Sequence, residues 1–223
     1  LVYHRETTDQ PHEIQVWRLD LQTGEAVQLT HGQGEQAHWR PWGVDEATGI
    51  MGDRSALSPT RSLLLYIDGR EVRRMDIRTL DDRTLLTLPD DRYPLAQNCV
   101  SGDQQWFVFV HVGRSQYEKL LADRERDGRL FRRNATQCTD TELCAVHLDT
   151  GTCRTLLRID YPIHHVHPYA DRYLIFSHVP GQTTGMGITD IDGGWFMVPR
   201  TTDAKGARCS IFPTAGKKPC RPI

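Results

Sequence analysis

The chain has no apolar run near the length that crosses a bilayer, no basic segment leading into an apolar stretch and a cleavage site, and no C-x-x-C pair. The first two absences leave no transmembrane or secretion signal to read, and the third argues against zinc ribbons and thioredoxin-like redox pairs. An excess of charge of one sign is lacking too. Twenty-seven basic residues stand against twenty-nine acidic ones, a formal charge of -2 over 223 residues. That balance offers no electrostatic footprint for nucleic acid or a membrane surface, so the expected partner is a small polar ligand or another protein. The six cysteines, Cys99, Cys138, Cys144, Cys153, Cys209 and Cys220, are too scattered in too long a chain to form a disulfide framework. They are expected to be mostly reduced and buried, in a cytoplasmic protein. The sequon Asn134-Ala-Thr136 carries little weight without a secretion signal.

Helical spacing is also scarce, and two-residue alternation takes its place. Four hairpins stand out: EIQVWRLDLQTGEAVQLT turning at Thr23-Gly24, EVRRMDIRTLDDRTLLTL turning near 79–82, ELCAVHLDTGTCRTLLRI turning at Thr150-Gly151, and GMGITDIDGGWFMV turning at Asp192-Gly193. Asp20, Asp76, His147 and Asp190 occupy comparable places before the turns, separated by 56, 71 and 43 residues. Each hairpin except the first follows another apolar strand, SLLLYI at 62–67, QWFVFVHV at 105–112 and RYLIFSH at 172–178. Turn, strand, hairpin, repeated, is the grammar of four-stranded blades packed face to face. The expected fold is therefore all-β, a β-propeller with about four blades present. A partial propeller over 1–200 would be followed by an irregular tail over 201–223. Because the chain starts mid-blade, it is expected to be part of a longer propeller.

One segment breaks the pattern. In SQYEKLLADRERDGRLFRRN, Tyr117, Leu120 and Leu121 have helical spacing among many charges, which makes 113–141 an excursion between two strands of the third blade. It reads either as a solvated loop with a short helix or as a lid over a site.

Residues able to do chemistry gather in YPIHHVHPYADRYLIFSH. In an extended segment His165 and His167 share a face and His164 points the other way, while His178 shares a face with Leu174 and Phe176. Imidazoles so placed suit zinc, manganese, iron or nickel, and they equally suit strand ends that bond backbone carbonyls. His38 and His111 read more readily as satisfied core or rim histidines. Arg114, just after the FVFVHV strand, is either a rim cation able to grip a sugar carboxylate with two parallel hydrogen bonds or a surface arginine opening the charged excursion. Trp39, Trp42, Trp106 and Trp195 suit stacking on sugar rings and, more commonly, packing between blades.

Several segments in order resemble the oligogalacturonate lyases, propellers that degrade short pectin fragments. They are AVQLTHGQGE (26–35), LLYIDGREVRRMDIRTLDDRTLLTLPDD (64–91), the LDTG hairpin (148–151), HHVHP (164–168) and IFSHVPG (175–181). The resemblance covers most of residues 10–195. It implies a seven-bladed propeller, a cytoplasmic location and β-elimination of oligogalacturonides assisted by a divalent metal ion, with manganese the expected one. It also implies His165 and His178 as metal ligands and Arg114 as the catalytic arginine. Departures are visible. Val179 stands where the family carries an acid, Asp140 stands in place of a histidine, and no histidine follows His178. The missing later histidine favours the alternative of a non-catalytic propeller that binds a protein or carbohydrate, whereas the ordered motifs favour the lyase, which is the leading expectation.

Overall fold

The computed structural model describes residues 1–6, 14–31, 42–44, 51–53, 55–58, 60–127, 140–160, 163–169, 171, 173–178, 185–193 and 195–198. Their strands form antiparallel sheets in strict chain order. β1 (Val2–Glu6), β2 (Ile14–Leu19) and β3 (Ala26–Gln28) make a three-stranded sheet, and β4 (Trp42–Val44) pairs with β5 (Met51–Asp53). Three four-stranded sheets follow. The first is β6 (Ser55–Ser58), β7 (Leu63–Asp68), β8 (Glu71–Asp76) and β9 (Asp82–Thr87). The second is β10 (Arg92–Val100), β11 (Trp106–Gly113), β12 (Thr141–His147) and β13 (Cys153–Ile159), with helix α1 (Arg114–Asp127) between β11 and β12. The third is β14 (Ile163–Tyr169), β15 (Tyr173–His178), β16 (Gly185–Asp190) and β17 (Trp195–Val198). This is the blade architecture of a β-propeller. The four hairpins lie where the alternation puts them.

The structure adds a first strand to each blade that the sequence pattern hides. SALS, RYPLAQNCV and IHHVHPY form β6, β10 and β14, and Val2–Glu6 pairs with the first hairpin as β1. These strands are short, polar or interrupted by proline, and β10 shifts register between Pro94 and Asn98, so each looks like a turn. One consequence concerns His165. It lies inside this first strand, β14.

Residues 63–67 of β7 are buried without a break because the sheet is covered on both faces. Leu63, Leu65 and Ile67 pack with Phe107, Phe109, Cys144 and Val146 of the next sheet. Leu64 and Tyr66 pack with Val16 and Leu29 of the preceding one. β11 repeats the arrangement, sending Val108, Val110 and Val112 toward Ile163, Val166, Leu174 and Phe176 of the last sheet. Each such side chain removed from water contributes about 1.5–3 kcal/mol. Arginines lace the same neighbours together: Arg18 donates to the carbonyl of Ile77 at 2.5 Å, Arg74 to that of Leu148 at 2.9 Å, and Arg154 to Asp192 at 3.0 Å.

The recurring residue before each hairpin has a mechanical role. Asp20 Oδ1 accepts from the backbone N–H groups of Gln22 and Thr23 at 2.8 and 3.1 Å, and Asp76 Oδ1 accepts from Arg78 and Thr79 at 2.8 and 3.2 Å. Asp190 Oδ1 accepts from Asp192 at 2.9 Å. His147 does the same through Nδ1, accepting from Asp149 and Thr150 at 3.3 and 3.4 Å. A short side chain that carries an acceptor at its tip is what such a turn requires. Four residues on from Asp20, Asp76 and His147, the chain takes a left-handed conformation. Gly24 and Gly151 meet this at φ 75° and 69°, whereas Leu80 meets it at φ 64° under strain.

Candidate functional site

Glutamate is an odd choice in the middle of a buried strand. Every residue from Thr141 to Val146 of β12 is buried, Glu142 included at 5% exposure. The register aligns His111 of β11, Glu142 of β12 and Arg158 of β13 in one row, and Phe109, Cys144 and Thr155 in the next. Residues directly opposite one another share a face of the sheet, so these polar groups converge. Their face is the one packed on β6–β9, since Phe109 and Cys144 join that core.

Glu142 is held by a clamp. Its Oε1 accepts from Arg92 Nη2 at 2.8 Å and Arg158 Nη2 at 2.5 Å, and its Oε2 accepts from Thr155 Oγ1 at 3.3 Å. Arg92 also donates to Asp140 Oδ2 at 2.7 Å. Two cations therefore offset two carboxylates. Beside Oε2, 4.0 Å away, lies His111 Nε2, which in turn is 3.3 Å from Cys144 Sγ. The donor atoms of His111, Glu142 and Cys144 all lie within 4.8 Å of one another, a set able to hold a metal ion. Burial keeps the His111 imidazole below its ordinary pKa, hence neutral and able to offer a lone pair. Its Nδ1 is buried without a hydrogen-bond partner. The neighbouring Cys153 side chain and then burial raise the Cys144 thiol, while the Cys144 side chain lowers that of Cys153. Cys99, Cys144 and Cys153 are free thiols, the first two buried as expected and Cys153 exposed.

Arg114 is the first residue of α1, where β11 runs out. Its backbone N–H donates to the carbonyl of Asp91 at 2.7 Å and its Nε to that of Asp90 at 2.6 Å, which anchors the guanidinium beside the start of β10. The helix in the charged excursion is real. Tyr117 is buried and stacks on Tyr93 with ring centroids 3.7 Å apart; residues 128–139 of the excursion, like the tail 201–223, lie outside the described residues. His165 and His167 are exposed on β14 with nearly parallel rings 6.1 Å apart, on one face as the alternation requires. Ser177 is the register partner of His165, and His178 that of Ile163. The side chains of His164 and His178 are outside the described residues, as is His38. Sequence reasoning passed over Glu142 and Cys144. The available signal was an acid two residues from a cysteine in the apolar run TELCAVH.

No protein-family model matches the chain. Over 165 residues it is 26% identical to the oligogalacturonide lyase of Pectobacterium atrosepticum and, equally, to the oligogalacturonate lyase of Dickeya dadantii, matching 72% of this chain and 37% of each relative. The chain thus spans well under half the length of the curated relatives it matches. Among solved structures it resembles an oligogalacturonate lyase in complex with manganese (TM-score 0.56, 20% identity, 83% of this chain and 56% of the other). It also resembles the oligogalacturonate lyase of Vibrio parahaemolyticus (TM-score 0.52, 14% identity, 83% and 55%) and a TolB-type protein of Agrobacterium tumefaciens (TM-score 0.53, 13% identity, 88% and 60%). At these identities the solved structures speak for the propeller fold alone. Over the 165 matched residues the chain is similar in sequence to the oligogalacturonate lyases.

Proposed function

We propose that the intact protein to which this chain belongs is a metal-dependent lyase that cleaves oligogalacturonides by β-elimination. The observation that carries the reading is the 165-residue match to two curated lyases of that name. The manganese complex of a structural neighbour supports a divalent ion, manganese first among them. On this reading His165 and His178 hold the ion. The side chain of His165 is exposed, and imidazole nitrogen suits manganese, zinc and their neighbours. When bound, such an ion neutralises a uronate carboxylate and so acidifies the proton on C5. On the same reading Arg114 would be the residue that helps remove that proton. The electron pair forms the C4–C5 double bond, and the C4–O bond breaks to release the leaving sugar. The backbone carbonyl of Asp90 fixes the orientation of the guanidinium through Nε. A cytoplasmic setting goes with this reading.

The product masses test the chemistry. Elimination gives fragments whose masses sum to that of the substrate, whereas hydrolysis adds one water. Fragments carrying the extra water would refute the lyase assignment. The alternative, a propeller that binds a carbohydrate without cleaving it, draws on Val179 standing where the family carries an acid. It predicts retention of intact oligogalacturonide by the protein and no fragments at all.

A further inference from the structure

Arg114 is seated on backbone that belongs to a different element. Its main-chain N–H donates to the carbonyl of Asp91 at 2.7 Å and its Nε to that of Asp90 at 2.6 Å. Both carbonyls lie in the short connection between β9 and β10, and that connection is itself fixed. Arg70, in the turn between β7 and β8, donates through Nη1 to the carbonyl of Leu88 at 2.9 Å and pairs with the Asp90 carboxylate. The N–H of Arg92 closes a turn on the carbonyl of Pro89 at 3.0 Å. Nε of Arg114 is thus engaged by the anchor. Among the described residues its Nη1 and Nη2 have no hydrogen-bond partner, so theirs is the edge the guanidinium offers a ligand.

One aromatic contact presses Arg114 into that seat. α1 begins at Arg114, and a helix of its length is marginal in water unless a face of it packs. Ser115, Glu118 and Lys119 are exposed, whereas Tyr117, one turn on from Arg114 and on the same side of the helix, is buried. Its ring lies on that of Tyr93, with centroids 3.7 Å apart and planes 18° from parallel. Tyr93 is the second residue of β10, opposite Val112, and packs against the core of its sheet. The stack therefore ties the first turn of α1 to the strand that follows directly on Asp90 and Asp91. On the lyase reading, on which this rests, we infer that Tyr117 and Tyr93 are positioning residues: their stack holds Arg114 on the carbonyls of Asp90 and Asp91 and so sets where Nη1 and Nη2 meet the sugar. Neither ring has to touch substrate. A free arginine side chain samples many rotamers, and fixing its backbone and Nε beforehand removes that freedom before the substrate arrives.

Steady-state kinetics of the intact protein on oligogalacturonides with Mn2+ test this, each variant first checked for native circular dichroism. Tyr117→Leu keeps an apolar side chain and loses the stack. It should lower kcat and kcat/KM together by roughly 10- to 100-fold, the loss a displaced group causes. Tyr117→Phe, which keeps the ring, should retain most of the wild-type rate. In an Arg114→Ala background Tyr117→Leu should add no further loss, because it acts only through that guanidinium. Hydrogen exchange at the Arg114 amide should be faster in Tyr117→Leu than in the wild type. A residue that merely stabilises the fold would leave the kcat of folded molecules unchanged. Wild-type kcat in Tyr117→Leu, or an undiminished loss in the Arg114→Ala background, would overturn the inference and leave the lyase reading standing. A wild type that forms no elimination product refutes the lyase reading itself, and this inference with it.

Discussion

Arg92 and Arg158 hold the same oxygen of Glu142 at 2.8 and 2.5 Å, and distance alone would rank Arg158 the stronger partner. Burial reverses that order. The Arg92 side chain is 17% exposed and that of Arg158 63%, against 6% for Glu142. Arg92→Met removes the inner cation, leaving a buried carboxylate with only a largely hydrated partner and releasing Asp140 as well. An unpaired buried charge of this kind costs about 3–5 kcal/mol. Arg158→Met removes an ion pair with one end in water, worth about 0–1 kcal/mol. Urea unfolding of the intact protein, followed by circular dichroism, measures both. Adding Glu142→Gln to Arg92→Met removes the orphaned charge and should recover about 1–3 kcal/mol, a coupling of the size expected for groups in contact. Equal losses for the two arginines, or a double variant no more stable than Arg92→Met, would refute the view that burial governs this clamp.

Two other predictions concern stability. Gly187 is the register partner of Phe176, and a Cβ there would stand 2.2 Å from Cζ of that fully buried ring. Gly187→Ala should therefore cost about 1–3 kcal/mol by overpacking, read as a lower urea midpoint. Backbone N–H groups hold the carboxyls of Asp20 and Asp76 below the usual aspartate range. Because the folded value is the depressed one, their stabilisation is complete above the ordinary aspartate pKa of about 4 and is lost as pH falls through the folded value. The Asp20→Asn, Asp76→Asn double variant should show a shallower decline in urea midpoint between pH 5 and 2 than the wild type, and an identical decline would contradict the turn assignment.

What was legible in the sequence was what local chemistry dictates. The hairpins announced themselves because Asp20, Asp76 and Asp190 must cap a turn, and because β7 and β11 carry apolar side chains for both neighbouring blades. β6, β10 and β14 were hidden because they trade apolar alternation for proline, serine and histidine. His165 is carried on one of these strands, β14. The cluster of His111, Glu142 and Cys144 was illegible for another reason. Its members come from strands separated in the chain by α1 and residues 128–139, and each alone looks like an ordinary buried residue. Only the register of β11 on β12 brings them together.

The most direct test of the proposed activity is absorbance in the ultraviolet, where the unsaturated uronate made by elimination absorbs and the saturated substrate does not. The intact protein given oligogalacturonides should produce a steady rise that a chelator abolishes and Mn2+ restores, with the rate falling by about 100-fold or more in Arg114→Ala, the lower range for loss of an acid–base group. A folded protein that yields no rise with Mn2+ or any other divalent ion would contradict it.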